Sequence, residues 1–186
     1  MKILLGLAGP ARAGKDTVAD HLVKAHGFAR LAFAGPLRDM LVHGLGIPRA
    51  RLDGPDKETP IDWIGKSPRQ LMQTLGTEWG RQLVADDLWI NIARQRARNL
   101  MRAGVTRIVF TDCRFPNEQA FLYGIGGSVW HLRRAAAAAV NPHASESGLP
   151  FARGIDELLV NDGTLDDLRD LVDGHLRTYE PGGPHA

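Results

Sequence analysis

The apolar and polar positions at the start of the chain change from a strand-like to a helix-like pattern. Residues 3–8 form a short, continuous apolar run, which is typical of a strand buried on both faces. Over residues 14–25 the apolar positions recur at helical spacing, with Val18 and Leu22 four residues apart. Gly27 follows at the position of a helix C-cap. The pattern therefore predicts a strand, a glycine-containing loop and a helix.

The rest of the chain predicts four more strands, with helical sequence between most of them. We predict these strands at residues 28–33, 105–112, 128–133 and 157–160. We predict helices at residues 36–45, 87–102 and 116–123, and two more that begin at the capping residues Ser67 and Thr164. Residues 46–66 contain glycine, proline and charged residues without periodicity, so we predict a loop there.

Strands that alternate with helices indicate an α/β protein whose parallel sheet carries helices on both faces. A chain of 186 residues that is 44% hydrophobic fits a single domain. We predict a core over residues 1–34, 104–134 and 154–178, a helical region over 35–103, a lid over 135–153 and a disordered tail over 180–186. Ligands bind such sheets at the carboxyl ends of the strands, so residues just after each strand are the candidate site residues.

Composition narrows the class of protein. The net charge of +2 is small, and no strip of the chain combines basic with aromatic residues, so we expect no direct binding to nucleic acid. The single cysteine, Cys113, excludes an intramolecular disulfide and a cysteine-based zinc site. The chain shows neither a signal peptide nor an apolar stretch near the ~20 residues of a membrane helix, so we expect a cytoplasmic protein without a membrane partner.

The loop after the first strand has the spacing of a phosphate-binding loop. Residues 9–17 read GPARAGKDT, in which Gly9, Gly14 and Lys15 match the pattern G-x-x-x-x-G-K. The glycines let backbone N–H groups turn towards phosphate oxygens, the helix dipole favours an anion, and Lys15 can reach the outer phosphates. The candidate nucleotide-binding residues of this loop are Gly9, Arg12, Ala13, Gly14, Lys15, Asp16 and Thr17.

One position of this loop departs from the pattern. The residue after Lys15 is Asp16 instead of the serine or threonine that helps to hold Mg²⁺, and Thr17 comes one place later. A carboxylate can ligate Mg²⁺ directly or bind one of its waters, with Arg12 and Lys15 offsetting the added negative charge. Alternatively, Asp16 stabilises the start of the helix and the metal is held elsewhere.

Asp112 ends the apolar run of residues 108–110 and resembles the aspartate of a Walker-B strand, which holds a metal-bound water. Cys113 and Arg114 follow it, in place of the glutamate that commonly activates water. An arginine at this position suggests transfer to an anionic acceptor instead of hydrolysis. The alternative for a lone aspartate at a strand end is helix capping.

Arginines and tryptophans supply candidates for binding that acceptor. Four arginines lie in the first turns of predicted helices or near predicted loops: Arg38, Arg69, Arg81 and Arg114. A cation is unfavourable in the first turn of a helix unless an anion is near, so we interpret the four as binding an acceptor phosphate. Trp79 and Trp89 either border the base of the acceptor or pack in the core, and for Trp63 we expect ordinary core or rim packing.

Residues 135–153 interrupt the alternation of strands and helices directly after Arg133 and Arg134. Arginines that lead into such a segment suit a lid that closes over phosphates and excludes water. His143 has no partner at metal-ligand spacing, so we interpret it as ordering the lid through Glu146. Residues 161–163, Asn-Asp-Gly, form a plain turn on composition alone.

These stretches together resemble the deoxynucleoside monophosphate kinases of tailed bacteriophages. The matching stretches are GPARAGKDTVAD, LAFAGPLRDML, SPRQLMQTLGTEWGR, VFTDCRFPNEQA, NPHASESGLP and LLVNDGTLDDL, in the order of that family. The GKDT form of the loop is typical of the family, and the resemblance is weakest over residues 46–66. It implies a three-layer α/β/α P-loop kinase fold with a mainly parallel five-stranded sheet. It also implies ATP and Mg²⁺ as cofactors and transfer of the γ-phosphoryl group to a deoxynucleoside 5′-monophosphate (dNMP).

The resemblance also implies roles for particular residues. It assigns Arg133 and Arg134 to the lid and places Asn161 beside the adenine of ATP. Together with the residues argued above, the candidate catalytic residues are Lys15, Asp16 and Arg134, and the candidate metal ligands are Asp16 and Asp112. The resemblance suggests that the acceptor site, mainly in the helical region over 35–103, is lined by Leu37, Arg38, Arg69, Asp112, Arg114 and Glu118. Our further candidates for this site are Gln73, Trp79, Arg81 and Trp89. A homodimer is implied by similarity alone.

Two alternatives use the same phosphate-binding loop. A small-metabolite kinase, such as one that acts on dephospho-coenzyme A, shares part of the motif order but gives no role to SPRQLMQTLGTEWGR. A non-catalytic nucleotide-binding regulator would bind ATP without an acceptor. The sequence leaves the base preference, the oligomeric state and the extent of lid motion open.

Overall fold

The computed structural model describes residues 2–136 and 148–179 and contains the predicted parallel sheet. The strands are β1 (Ile3–Ala8), β2 (Ala29–Leu31), β3 (Arg107–Phe110), β4 (Ser128–Arg133) and β5 (Glu157–Val160). They lie in the order β2-β3-β1-β4-β5, and neighbouring strands pair in parallel. The predicted α/β class is confirmed. The predicted tail over 180–186 lies outside the described residues.

The helices also follow the sequence pattern in most places. They are α1 (Lys15–His26), α2 (Gly35–Leu45), α3 (Arg49–Asp53), α4 (Pro68–Gln73), α5 (Leu88–Arg102), α6 (Pro116–Gly124) and α7 (Leu165–Arg177). Ser67 and Thr164 cap α4 and α7 as predicted, because each side chain accepts a hydrogen bond from the backbone N–H three residues on. In the described part of the chain, no helix has both the length and the apolar character needed to cross a membrane.

The chain divides into two compact units. We call residues 1–32 and 95–186 the sheet unit, and residues 33–94 the helical unit.

In the sheet unit, helices cover both faces of the sheet. Leu5 of β1 lies in one buried cluster with Leu22 of α1 and Val172 of α7. At Gly6, the next residue of β1, an added Cβ would lie 2.3 Å from Leu122 Cδ1 of α6. Successive residues of a strand point to opposite faces, so α1 and α7 form one helical layer and α6 belongs to the other. The sheet unit is therefore a three-layer α/β/α structure.

The helical unit has its own small core. Its buried residues include Leu41, Ile47, Leu52 and Ile61. The prediction of a loop throughout residues 46–66 is wrong, because α3 and a 3₁₀ turn at Pro55–Glu58 lie within it. Both elements are too short for apolar periodicity to reveal them. Trp63, for which core or rim packing was expected, leaves 70% of its surface exposed and is not a core residue.

After α4 the helical unit continues as a π-helix over Thr74–Val84, which the sequence pattern did not predict. The buried indole of Trp89 packs directly against Gly80, where an added Cβ would lie 2.4 Å from the ring. Trp89 Nε1 donates a hydrogen bond of 2.8 Å to the carbonyl oxygen of Gly76. The absence of a side chain at Gly80 therefore lets the π-helix approach Trp89 closely.

Candidate functional site

The loop between β1 and α1, which the sequence predicts to bind phosphate, contains three residues with positive φ angles. Gly9 and Gly14 have φ values of 133° and 104°, and Arg12 also adopts a positive φ of 66°. Residues that carry a Cβ rarely adopt such φ angles. At Gly9 an added Cβ would also lie 2.3 Å from the carbonyl oxygen of Leu132. The glycine spacing recognised in the sequence is therefore required by backbone conformation.

Lys15 closes this loop from the first turn of α1. Its Nζ donates hydrogen bonds to the carbonyl oxygens of Gly9 (2.6 Å) and Pro10 (2.7 Å). Gly14, the N-cap of α1, has no side chain with which to bind the first N–H groups of the helix. Those N–H groups and the lysine charge together form an arrangement suited to an anion.

Asn161 supports the loop from the end of β5. Its Nδ2 donates a hydrogen bond of 2.9 Å to the carbonyl oxygen of Ala13, and the residue is buried. Its backbone N–H bonds to the carbonyl oxygen of Arg133 at 2.8 Å. Composition alone predicted a plain turn here, and a bond spanning 148 positions of sequence has no local signal.

Asp16 lies in the first turn of α1 and forms an ion pair. Its Oδ1 accepts a hydrogen bond of 2.7 Å from Arg30, which also binds Asp20 at 2.7 Å. The Asp16 side chain is nevertheless 89% exposed. Arg30 was not among the residues predicted from the sequence.

Asp112 lies beside the start of the phosphate-binding loop. Phe110, the last residue of β3, pairs with Gly6 of β1 in the parallel register, and Asp112 follows it by two residues. Cys113 N–H donates to the carbonyl oxygen of Leu7 at 3.0 Å, which fixes the backbone at this edge of the sheet. The structure thus brings the two predicted metal ligands, Asp16 and Asp112, into the sheet unit on elements that flank the loop.

Glu118 orders the backbone that follows Asp112. Its Oε2 accepts hydrogen bonds from the N–H groups of Arg114 (2.8 Å) and Phe115 (3.1 Å) at the start of α6. The carboxylate is buried, so these bonds stabilise it where water cannot reach. Glu118 therefore fixes the conformation of the segment that carries Arg114.

Cys113 is predicted to be unreactive in the folded protein. The pKa of the Cys113 thiol is raised well above its ordinary value. Burial is the largest cause, and the negative charges of Glu118, Asp112 and Asp156 add to it. The thiolate is the reactive form, so the native chain at pH 8 should not react with a thiol reagent such as DTNB, whereas the chain unfolded in guanidinium should react with one equivalent. Rapid labelling of the native protein would contradict this burial.

A second carboxylate, Asp156, is buried at the centre of a hydrogen-bond cluster in the sheet unit. It accepts hydrogen bonds from Val129 N (3.0 Å), Ala152 N (3.0 Å), Tyr123 OH (2.7 Å), Gln119 Nε2 (3.2 Å) and His131 Nε2 (3.1 Å). Burial, together with the hydrogen bond to Asp156, raises the pKa of Tyr123. The cluster ties α6 and β4 to residues 150–156, which include the end of the predicted lid. Nothing in the sequence singled out Asp156.

In the helical unit, two of the predicted acceptor arginines are paired with carboxylates. Arg38 Nε donates to Asp53 Oδ1 at 2.7 Å, and Arg69 Nε donates to Glu58. Burial alone would raise the pKa of Asp53, but Arg38 and Arg49 outweigh it and lower that pKa. Asp53 is thus ionised at neutral pH and neutralises part of the positive charge.

The other predicted residues of the helical unit differ in exposure. Arg81 is buried, with Nη1 bonded to the carbonyl oxygen of Asp86 at 3.0 Å, and Leu37 is buried with one methyl near Gly76. Trp79 is 39% exposed and lies 6.2 Å from the buried Trp89, between ring centroids. Gln73 is half-buried at the end of α4. Of the two tryptophans, only Trp79 offers an accessible ring.

The predicted lid residues are only partly described. Arg133 ends β4 and Arg134 follows it, both exposed in the sheet unit. Ala135 N–H donates to Asp162 Oδ1 at 2.7 Å, which joins the start of the predicted lid to the turn after β5. His143 and Glu146 lie outside the described residues.

Solved structures identify the class to which this fold belongs. Dephospho-CoA kinase from Campylobacter jejuni aligns with a TM-score of 0.53 at 13% identity, over 98% of this chain and 99% of that one. A protein of Thermus thermophilus aligns with a TM-score of 0.54 at 18% identity, over 95% and 97% of the two chains. The chain therefore shares the α/β fold of this dephospho-CoA kinase.

Sequence comparisons identify the family. The family model described as deoxynucleotide monophosphate kinase matches residues 62–172. The deoxynucleotide monophosphate kinase of Enterobacteria phage T4 is 23% identical over an alignment of 242 positions, which covers 94% of this chain and 98% of that protein. A protein of Acanthamoeba polyphaga mimivirus is 30% identical over 176 residues, covering 89% of this chain and 91% of the other. The chain belongs to the deoxynucleotide monophosphate kinase family, as its motifs had suggested.

Proposed function

We propose that this chain transfers the γ-phosphoryl group of ATP to the 5′-phosphate of a dNMP, giving dNDP and ADP. The observation that carries the proposal is the loop of residues 9–15, with Lys15 at its end, in a member of the deoxynucleotide monophosphate kinase family. If the chain is phage-encoded, it would supply DNA precursors in the host cytoplasm. A homodimer is part of this proposal through the family alone.

Donor binding falls to the loop and to α1. The N–H groups of the loop and of the first turn would surround the β- and γ-phosphates of ATP. Lys15 Nζ would leave the carbonyl oxygens of Gly9 and Pro10 and bind phosphate oxygens instead. The flexible lysine side chain allows this change of partners. Asn161 holds Ala13 in place and would border the adenine.

Mg²⁺ also belongs to the proposal. Asp16 and Asp112 offer carboxylate oxygens, the ligands that Mg²⁺ prefers in proteins. The exposed Asp16 side chain can turn to an ion by releasing Arg30, and Asp112 follows the end of β3 by two residues, next to Cys113, whose N–H bonds to Leu7 of β1. When bound, Mg²⁺ neutralises charge on the phosphates.

The metal role of Asp16 predicts a difference between two neighbouring aspartates of α1. Both Asp16 and Asp20 pair with Arg30 at the same distance, 2.7 Å. We expect Asp16→Asn to raise the Mg²⁺ concentration for half-maximal activity about tenfold, and Asp20→Asn to leave it within about twofold. The measurement is a Mg²⁺ titration of the initial rate at fixed ATP. An equal response of the two variants would limit Asp16 to stabilising the start of α1.

Acceptor binding would use the arginines. Arg38 and Arg69 would exchange Asp53 and Glu58 for the acceptor phosphate, since a guanidinium group binds phosphate through two parallel hydrogen bonds. In the absence of substrate, the carboxylates of Asp53 and Glu58 fix the positions of the two arginine side chains. Arg114, on the segment whose backbone Glu118 orders, stays a candidate acceptor residue from the sequence.

The remaining predicted acceptor residues fall into two groups, those that would touch the base and those that are buried behind them. Trp79, with its accessible ring, would contact the base, and Gln73 would lie nearby. The buried residues would pack beneath those that touch the base, and they are Leu37, Arg81 and Trp89.

Chemistry would follow from positioning and charge stabilisation. An oxygen of the acceptor phosphate attacks the γ-phosphorus of ATP in line, and the bond from that phosphorus to the oxygen bridging to the β-phosphate breaks, which releases ADP. The attacking oxygen is already an anion, so no general base is required. Lys15, Arg133 and Arg134 would stabilise the charge on the transferred group, the two arginines as part of the lid.

A panel of acceptors tests this proposal. ADP release would be followed with each dNMP, with each ribonucleotide counterpart and with dephospho-coenzyme A, beside a control without acceptor. We expect strong turnover with one or a few dNMPs. Turnover with dephospho-coenzyme A alone would assign the chain to the small-metabolite kinases.

A further inference from the structure

Two histidines and an aspartate meet on the helical layer formed by α1 and α7. His21 Nε2 lies 2.6 Å and His26 Nε2 lies 2.7 Å from the same carboxylate oxygen, Asp173 Oδ1. The two imidazole rings are oriented edge to face, with centroids 5.2 Å apart and planes at 78°. The same ring nitrogen of each histidine therefore converges on one point from a different direction.

This cluster is separate from the phosphate-binding loop. His21 and His26 follow Lys15 by six and eleven residues along α1. At about 1.5 Å of rise per residue, they lie roughly 9 and 16 Å along the helix axis from the lysine. No residue predicted for ATP, acceptor or Mg²⁺ binding belongs to the cluster.

The donor atoms fit a first-row transition metal. The three ligand atoms lie within 4.8 Å of one another. A tetrahedral Zn²⁺ with bonds of about 2.0–2.1 Å keeps its ligand atoms about 3.3 Å apart. The two Nε2–Oδ1 separations of 2.6 and 2.7 Å therefore need to lengthen only slightly to admit an ion. The side chains are partly shielded, with exposures of 16% for His21, 24% for His26 and 35% for Asp173, which leaves an entry path.

We propose that His21, His26 and Asp173 form a Zn²⁺ site that fastens the C-terminal end of α1 to α7. Two imidazole nitrogens and a carboxylate oxygen provide three protein ligands, and a water completes the tetrahedron. Mg²⁺ prefers six oxygen ligands, so the Mg²⁺ that accompanies ATP would not compete for this site. The ion links two helices of one layer and takes no part in phosphoryl transfer.

Metal binding to the untagged protein, after removal of bound ions with a chelator, tests the proposal. We expect isothermal titration with Zn²⁺ and with Co²⁺ to give one tight site per chain, with the intense visible absorption of four-coordinate Co²⁺ and a higher Tm. His21→Gln, His26→Gln and Asp173→Asn should each weaken binding at least about tenfold. Glutamine can still hydrogen-bond Asp173, so these variants should remain folded, which circular dichroism checks.

Two variants outside the cluster serve as controls. His43 and Asp170 are exposed residues of α2 and α7, and His43→Gln and Asp170→Asn should bind both ions like the wild type. Absence of stoichiometric binding to the wild type would overturn the proposal and leave the three residues as a hydrogen-bonded contact between helices. Binding that the cluster variants retain, or that the control variants equally lose, would overturn it as well.

Discussion

Replacing Lys15 with alanine is expected to lower kcat by roughly 10²–10³-fold or more, while the protein remains folded. Lys15 is the cation at the end of the phosphate-binding loop, and its Nζ lies within 2.7 Å of two loop carbonyl oxygens. Charge that develops on the phosphates during transfer would lose the positive partner that Lys15 supplies. The measurement is the initial rate at saturating ATP and dNMP, with circular dichroism to check folding.

Lys24→Ala provides the matched control for this prediction. Lys24 is an exposed lysine in the last turn of the same helix, α1, so its loss changes the net charge equally but leaves the loop intact. We expect nearly unchanged turnover in this variant. Near-normal kcat in Lys15→Ala would remove the loop from the catalytic role proposed for it.

Replacing Asp156 with alanine is expected to destabilise the protein by about 3–5 kcal/mol. The substitution removes the shared acceptor of five hydrogen bonds, including those from the N–H groups of Val129 and Ala152. Donors left without a partner in the interior each carry a desolvation cost. For a chain of this size the loss corresponds to a fall in Tm of roughly 10 °C.

Thermal unfolding of Asp156→Ala beside Asp170→Ala gives the direct comparison. Asp170 is an exposed aspartate of α7, and its replacement should change Tm by at most about 2 °C, as for a surface substitution. If Asp156→Ala unfolded at the same temperature as Asp170→Ala, the buried cluster would contribute nothing to stability.

The parts of the protein that were predicted correctly depend on local sequence. Helix caps at Ser67 and Thr164 involve a hydrogen bond three residues away, so the responsible residues stand together in the chain. The glycine-containing turn between β1 and α1 is local as well, because Gly9 and Gly14 adopt positive φ angles that suit glycine. Five apolar strands interleaved with helices were enough to predict a parallel sheet.

The parts that were missed depend on contacts between distant segments. Asn161 supports Ala13 across 148 positions, and Asp156 accepts hydrogen bonds from three separate stretches, α6, β4 and Ala152. The π-helix forms where Gly80 meets Trp89, a packing contact that propensity does not encode. Five residues are too few to form a stable helix alone, so the short helix α3 depends on tertiary packing. The burial of Leu52 in the core of the helical unit provides that packing.

The central claim is that the protein phosphorylates a dNMP at the expense of ATP. The most direct test incubates the purified protein with ATP, Mg²⁺ and a mixture of the four dNMPs, beside a control that lacks the dNMPs. The nucleotides of both incubations are then separated by anion-exchange chromatography. We predict dNDP from at least one base, in an amount equal to the ADP formed, and no ADP above background without acceptor. ATP binding without any dNDP, or ADP formation that does not depend on the acceptor, would contradict the claim.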